Sequence, residues 1–114
     1  MIHVVNRDYA SIPDCATVVN IMRPSVYGNP YRMESEDDRD LVIRRYRRLV
    51  WKMWKDQNNE LYYALQQLLR LENQNPHGQI YLVCCCKPLD CHGDKIKNFI
   101  DFMRMHNGKH NMFG

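Results

Sequence analysis

The chain nowhere contains the roughly eighteen consecutive apolar residues that a bilayer-spanning helix requires, so no membrane partner is expected. Its opening residues, MIHVVNRDYA, lack the basic leader and the long apolar run of a secretory signal, and a cytoplasmic protein is the expectation. An excess of one charge is also missing. The 16 Lys and Arg residues against 13 Asp and Glu leave +3, too little to imply a nucleic-acid partner by itself. Internal repeats and low-complexity stretches are absent, and 114 residues are too few for two hydrophobic cores. One fold with one site is what remains.

What is present is ordinary globular composition, 45% apolar and 25% charged. Ile2 to Asn6 is a short β-type run, and Ala16 to Met22 is a second, rich in β-branched residues and stopped at Arg23-Pro24. The following PSVYGNPYRM holds two prolines and a glycine, which forbid regular structure and mark a loop that side chains must hold. Ser35 and Asp38 have capping-box spacing, and Val42, Tyr46, Leu49, Val50, Met53 and Trp54 recur with helical period, predicting a first helix over 36–56. Leu61, Leu65, Leu68 and Leu69 predict a second over 60–73, and QIYLVCCC over 79–86 reads as a central strand. Asp94 is placed to cap a third helix carrying Ile96, Phe99, Ile100 and Met103 on one face. The order predicts a small α/β domain over 1–106, a short mostly parallel sheet flanked by helices in a Rossmann-like manner, with a tail over 107–114.

Arg39, Arg44, Arg45, Arg47 and Arg48 crowd the first helix after Glu36, Asp37, Asp38 and Asp40, an order that suits the helix dipole. Exposed helix faces are usually charged, so a solvated face stands beside a phosphate-binding patch as the reading of this cluster.

Four of the five cysteines fall in the stretch LVCCCKPLDCHGD. In a reducing compartment they read as thiols, metal ligands or core packing rather than a disulfide framework. Strand alternation puts Cys84 and Cys86 on one face and Cys85 on the other. Cys84, Cys86, Cys91 and His92 make a conceivable zinc set, but structural zinc sites usually divide their ligands between two separated pairs, so neither metal nor other cofactor is expected. The segment also reads as an active-site loop at the carboxyl end of a strand, where a helix N-terminus offers amides to an anion. Cys91 beside His92 would then be a thiol of lowered pKa, His92 a general acid or base, and Asp94 its orienting partner or a cap.

Two segments, Arg23-Pro24-Ser25-Val26-Tyr27-Gly28-Asn29-Pro30 and Cys84 to Asp94, resemble DUF4326, a domain of unknown function found in phages and bacteria. The likeness extends to Val4-Val5-Asn6 and to Arg39, Val42, Ile43 and Tyr46, covering residues 2 to about 103; at Cys85 it leads to an aromatic being expected. The resemblance implies a phage origin, hence a host-cell cytoplasm, and no assigned reaction. It groups Asn6, Arg23, Ser25, Gly28, Asn29, Cys86 and Gly93 as ligand-binding candidates around Cys91, His92 and Asp94 as catalytic ones. An arginine fork, a hydroxyl, an amide and helix amides suit a nucleotide, nucleoside or nucleotide sugar, whether bound or processed. The alternatives are a host-directed interaction protein, zinc-stabilised or not, using the first helix with Trp51 and Trp54, and a nucleic-acid binder using its basic face.

Overall fold

Two asparagines decide where the sheet ends. The protein is described by a computed structural model over residues 1–8, 11–74 and 78–110, with side chains as far as 106. Strand β1 spans Ile2–Asn6 and β2 spans Thr17–Asn20. At each carboxyl end the asparagine Oδ1 accepts an N–H two residues on, from Asp8 at 2.8 Å and from Met22 at 2.9 Å, and so turns the chain. β2 is therefore shorter than the β-branched run that predicted it. The third strand, β3 (Ile80–Cys84), loses its ladder partners at the same level and stops two residues before the expected Cys86. Cys85 and Cys86 lie beyond the strand, in the bend leading to Pro88.

All pairing is parallel, in the order β1-β3-β2, with Val4 and Val19 both opposite Leu82. The three carboxyl ends, Asn6, Asn20 and Cys84, thus lie along one edge. Helices α1 (Arg39–Asp56) and α2 (Glu60–Gln74) form the crossover from β2 to β3, and α3 (Gly93–His110) follows β3. The backbone of α3 runs through four residues assigned by sequence to the tail, and 111–114 lie outside the described residues. No described helix is long and apolar enough to cross a membrane.

The core lies where α1, α2 and α3 meet the sheet. Ile21, Leu65, Leu68, Leu82, Ile96 and Ile100 are wholly buried. At about 25 cal/mol per Å² of apolar surface, such burial is the main force against chain entropy. Glu72 is buried among them, its carboxylate 3.1 Å from the Met1 amino group and 3.6 Å from Arg104.

Helix starts differ from the sequence reading. Ser35 makes no side-chain cap; a 3-10 turn over Glu36–Asp38 precedes α1, and the Asp38 carboxylate accepts the Glu34 N–H at 3.0 Å instead. Asn59 does the capping expected of a helix start. Its Oδ1 accepts the Tyr62 N–H at 2.8 Å while its Nδ2 donates to the Met53 carbonyl, so one residue starts α2 and fastens it to the end of α1.

Candidate functional site

The loop between β2 and α1 is held as its prolines and glycine require, by side chains. Tyr27 donates its hydroxyl to the Ala64 carbonyl on α2 at 2.7 Å, Tyr46 on α1 donates to the Tyr27 carbonyl at 2.8 Å, and Asn29 Nδ2 donates to the Val42 carbonyl at 3.2 Å. Burial drives both phenols upward in pKa, Tyr27 to about 12, so both keep the protons they donate. Within the loop, Ser25 Oγ accepts the Tyr27 N–H at 3.2 Å, and a Cβ on Gly28 would stand 3.0 Å from the Arg23 backbone. Ser25 and Gly28 shape the turn; Arg23 is the residue it presents.

After β3, Arg39 fastens α1 to the second loop. Its guanidinium grips both oxygens of Glu36 at 2.9 Å, donates to the Asp90 carbonyl at 2.8 Å and lies against the Cys86 thiol. The hydrogen bond from Arg39 holds the exposed Glu36 carboxyl below its usual value. Asp94 accepts the Cys91 N–H at 3.3 Å and pairs with Lys87 at 2.7 Å, which fixes the start of α3. Asp94 is thus the second residue of α3 rather than its N-cap, and its carboxylate reaches back to the amide that precedes the helix. Asn6 donates to the Lys87 carbonyl at 2.7 Å and ties the end of β1 to the same loop.

Between these loops lies a cleft of about 480 Å³ at the carboxyl edge of the sheet. Its floor is Cys84, Cys85 and Cys86; Cys91 and His92 form one wall, Asn29 and Tyr31 another, and Arg7, Arg23, Arg32 and Arg39 stand around it, with Asp90 the one acid among the described lining residues and with Arg7 paired to Asp8 and Arg39 to Glu36. Among the described residues Arg23 and Arg32 form no ion pair. Of the site residues expected from sequence, Arg23, Asn29, Cys86, Cys91 and His92 come together here. Asn6, Ser25, Gly28 and Gly93 do not line the cleft, and Asp94 faces a smaller depression of about 290 Å³ with Arg44 and Lys95.

Gly93 is packed closely: a Cβ there would fall 2.6 Å from Ile21 Cδ1 and 2.8 Å from a Val4 methyl, so the glycine lets α3 start flat on the sheet. His92 Nε2 stands 2.8 Å from the Ile21 carbonyl, which can only accept, so this nitrogen carries the proton. Nδ1 is left facing Cys91 Sγ at 3.6 Å, and the ring stands edge-on to Tyr46. Burial, with Arg23 adding to it, pushes the imidazole below its ordinary pKa. The positive charge around the cleft at neutral pH therefore belongs to the arginines.

Cys91 departs from the lowered pKa expected of a helix-start thiol. It is 1% exposed, and burial drives its pKa upward more strongly than the Gly93 N–H, 3.4 Å from its sulfur, pulls it down. Among the described residues no three His, Cys, Asp or Glu side chains are placed to hold a metal ion, so Cys84, Cys86, Cys91 and His92 do not assemble as a zinc set.

The sequence profile of DUF4326, a domain of unknown function, matches residues 4–102. The chain belongs to this family. No curated protein and no solved structure gives a significant match. The two segments that carry the resemblance, 23–30 and 84–94, both border the cleft, and Arg7, Arg32 and Arg39 join them there without having been expected as site residues. Arg7 and Arg32 sit in loops whose path no local pattern specifies, and Arg39 was read as part of a helix face.

Proposed function

We propose that the cleft of this DUF4326 protein binds a phosphate-bearing small molecule, a nucleotide or nucleotide sugar. The observation that carries this reading is the convergence of four arginines on one concavity, of which Arg7 is paired with Asp8 and Arg39 with Glu36, while Arg23 and Arg32 form no ion pair among the described residues. Guanidinium forks match phosphate geometry, and an arginine without a carboxylate partner has its donors free for a ligand. The place agrees with the general rule that parallel α/β sheets bind ligands outside the carboxyl ends of their strands. Tyr31 supplies an aromatic ring for the remainder of the molecule, while the Asn29 amide, bonded to the Val42 carbonyl and the Tyr31 N–H, holds the loop in place. In this reading Cys91 and His92 shape the wall and Asp94 secures the start of α3. A phage or bacterial source and a cytoplasmic setting go with the proposal on the family resemblance.

An interface through α1 is less supported, because Trp51 and Trp54 are already packed edge-on against Phe99, at 4.9 and 5.2 Å. Thermal scans against nucleoside mono- and diphosphates and nucleotide sugars test the proposal. A ligand selective for the folded state raises the melting temperature by mass action. Arg23→Ala should remove most of that shift, since losing a charge-assisted hydrogen bond costs about 1.5–3 kcal/mol, roughly tenfold or more in affinity. Arg47→Ala, on the exposed side of α1, should leave it intact. No shift with any compound, or equal losses from both variants, would refute the reading.

A further inference from the structure

Four thiols border the cleft, and their surroundings separate them. Cys84 and Cys91 are each 1% exposed and packed in the core cluster, out of reach of a ligand. Cys85 is exposed and also lines the cleft, but the Arg39 guanidinium lies against Cys86 and not against it; burial and the neighbouring Cys86 raise its pKa. Cys86 is half-buried on the cleft floor, beyond the end of β3 and against Arg39, which Glu36 and the Asp90 carbonyl hold in place. Cys15, the fifth cysteine, is exposed, follows Asp14 in sequence and does not line the cleft.

We propose that Cys86 is the thiol nucleophile of this cleft, presented to an anionic electrophile that the surrounding arginines draw in. The inference rests on the anion-binding reading for its substrate class and on the place of Cys86 on the cleft lining against the Arg39 guanidinium for its chemistry. The reaction is a substitution. The Cys86 proton leaves to solvent, the sulfur forms a bond to the electrophilic carbon of the bound anion, and the leaving group departs with the bonding electron pair. Clefts lined by charge of one sign concentrate ions of the other and raise association rates.

Two alkylating agents of the same chemistry and different charge, iodoacetate and iodoacetamide, test it on the folded full chain. In each case sulfur displaces iodide. The ratio of the two rates at one cysteine cancels that cysteine's own reactivity and leaves the local electrostatic preference. Quantified by fragment mass spectrometry, the iodoacetate-to-iodoacetamide ratio should be roughly tenfold higher at Cys86 than at Cys15, within the range that electrostatic focusing reaches. Arg23→Ala and Arg32→Ala should each lower the ratio at Cys86 only, added salt should do the same, and Cys86→Ser should remove labelling from the cleft. If Cys86 reacts no faster than Cys15 with either reagent while nucleotides still raise the melting temperature, the nucleophile is wrong and the anion site stands. If Cys86 outpaces Cys15 with iodoacetamide but shows no preference for iodoacetate, the thiol survives and the anionic substrate is overturned. Labelling first at Cys85 would assign the chemistry to the wrong sulfur.

Discussion

Within each of the two motif loops, neighbouring residues face opposite ways, and the contrast separates folding from function. In the first loop Arg23 looks into the cleft, Ser25 and Gly28 are used inside the turn, and Asn29 lines the cleft while its amide ties the loop to α1. In the second, Cys86, Cys91 and His92 line the cleft, whereas Gly93 lies on the sheet and Asp94 ties down the start of α3. A motif read as one ligand-binding unit is thus about half scaffold. The scaffold residues should report through stability, and the cleft arginines through binding.

The largest expected effect breaks the scaffold side. Gly93→Ala places a methyl group into Ile21 and Val4, and overpacking of this kind typically costs about 1–3 kcal/mol. Chemical denaturation should show that loss, with nucleotide binding retained in the fraction that folds. A fully stable Gly93→Ala protein with lost binding would reverse the assignment and make Gly93 a cleft residue.

His92 sharpens the comparison because it belongs to both sides. Its pKa lies below the ordinary 6.5, mainly through burial, so the unfolded chain takes up a proton at a pH where the folded protein does not. The stability that His92 contributes is therefore fully present above about 6.5 and is lost as pH falls through its folded-state value. The Glu36 carboxyl, also lowered, acts in a separate window below 4.5. Urea midpoints measured downward from neutral pH should decline through the histidine window. His92→Gln should flatten that decline, and an unchanged slope in the variant would place the titrating group elsewhere.

Much of the fold was legible because its signals are local. β1, α2 and the hydrophobic face of α3 follow from β-branched runs and helical spacing alone. Strand ends were not legible, since they depend on Asn6 and Asn20 turning two separate strands at one level, which also shortens β3. The site was half legible. The motifs brought Arg23, Asn29, Cys86, Cys91 and His92 together, but Arg7 and Arg32 reach the cleft through tertiary placement. The direction of the Cys91 shift depended on burial that spacing does not encode. Tyr27 sat at an unassigned position of its motif, although its hydroxyl bridges the loop to α2.

A nitrogen-edited NMR titration of the folded chain with a nucleoside monophosphate reads the anion cleft most directly. The side-chain signals of Arg23 and Arg32 and the amides of Asn29, Cys86 and His92 should move together with one dissociation constant, while those of Arg47 and Arg48 stay still. Shifts centred on Arg44 to Arg48, or none at any concentration reached, would contradict a phosphate-binding cleft at the carboxyl edge of the sheet.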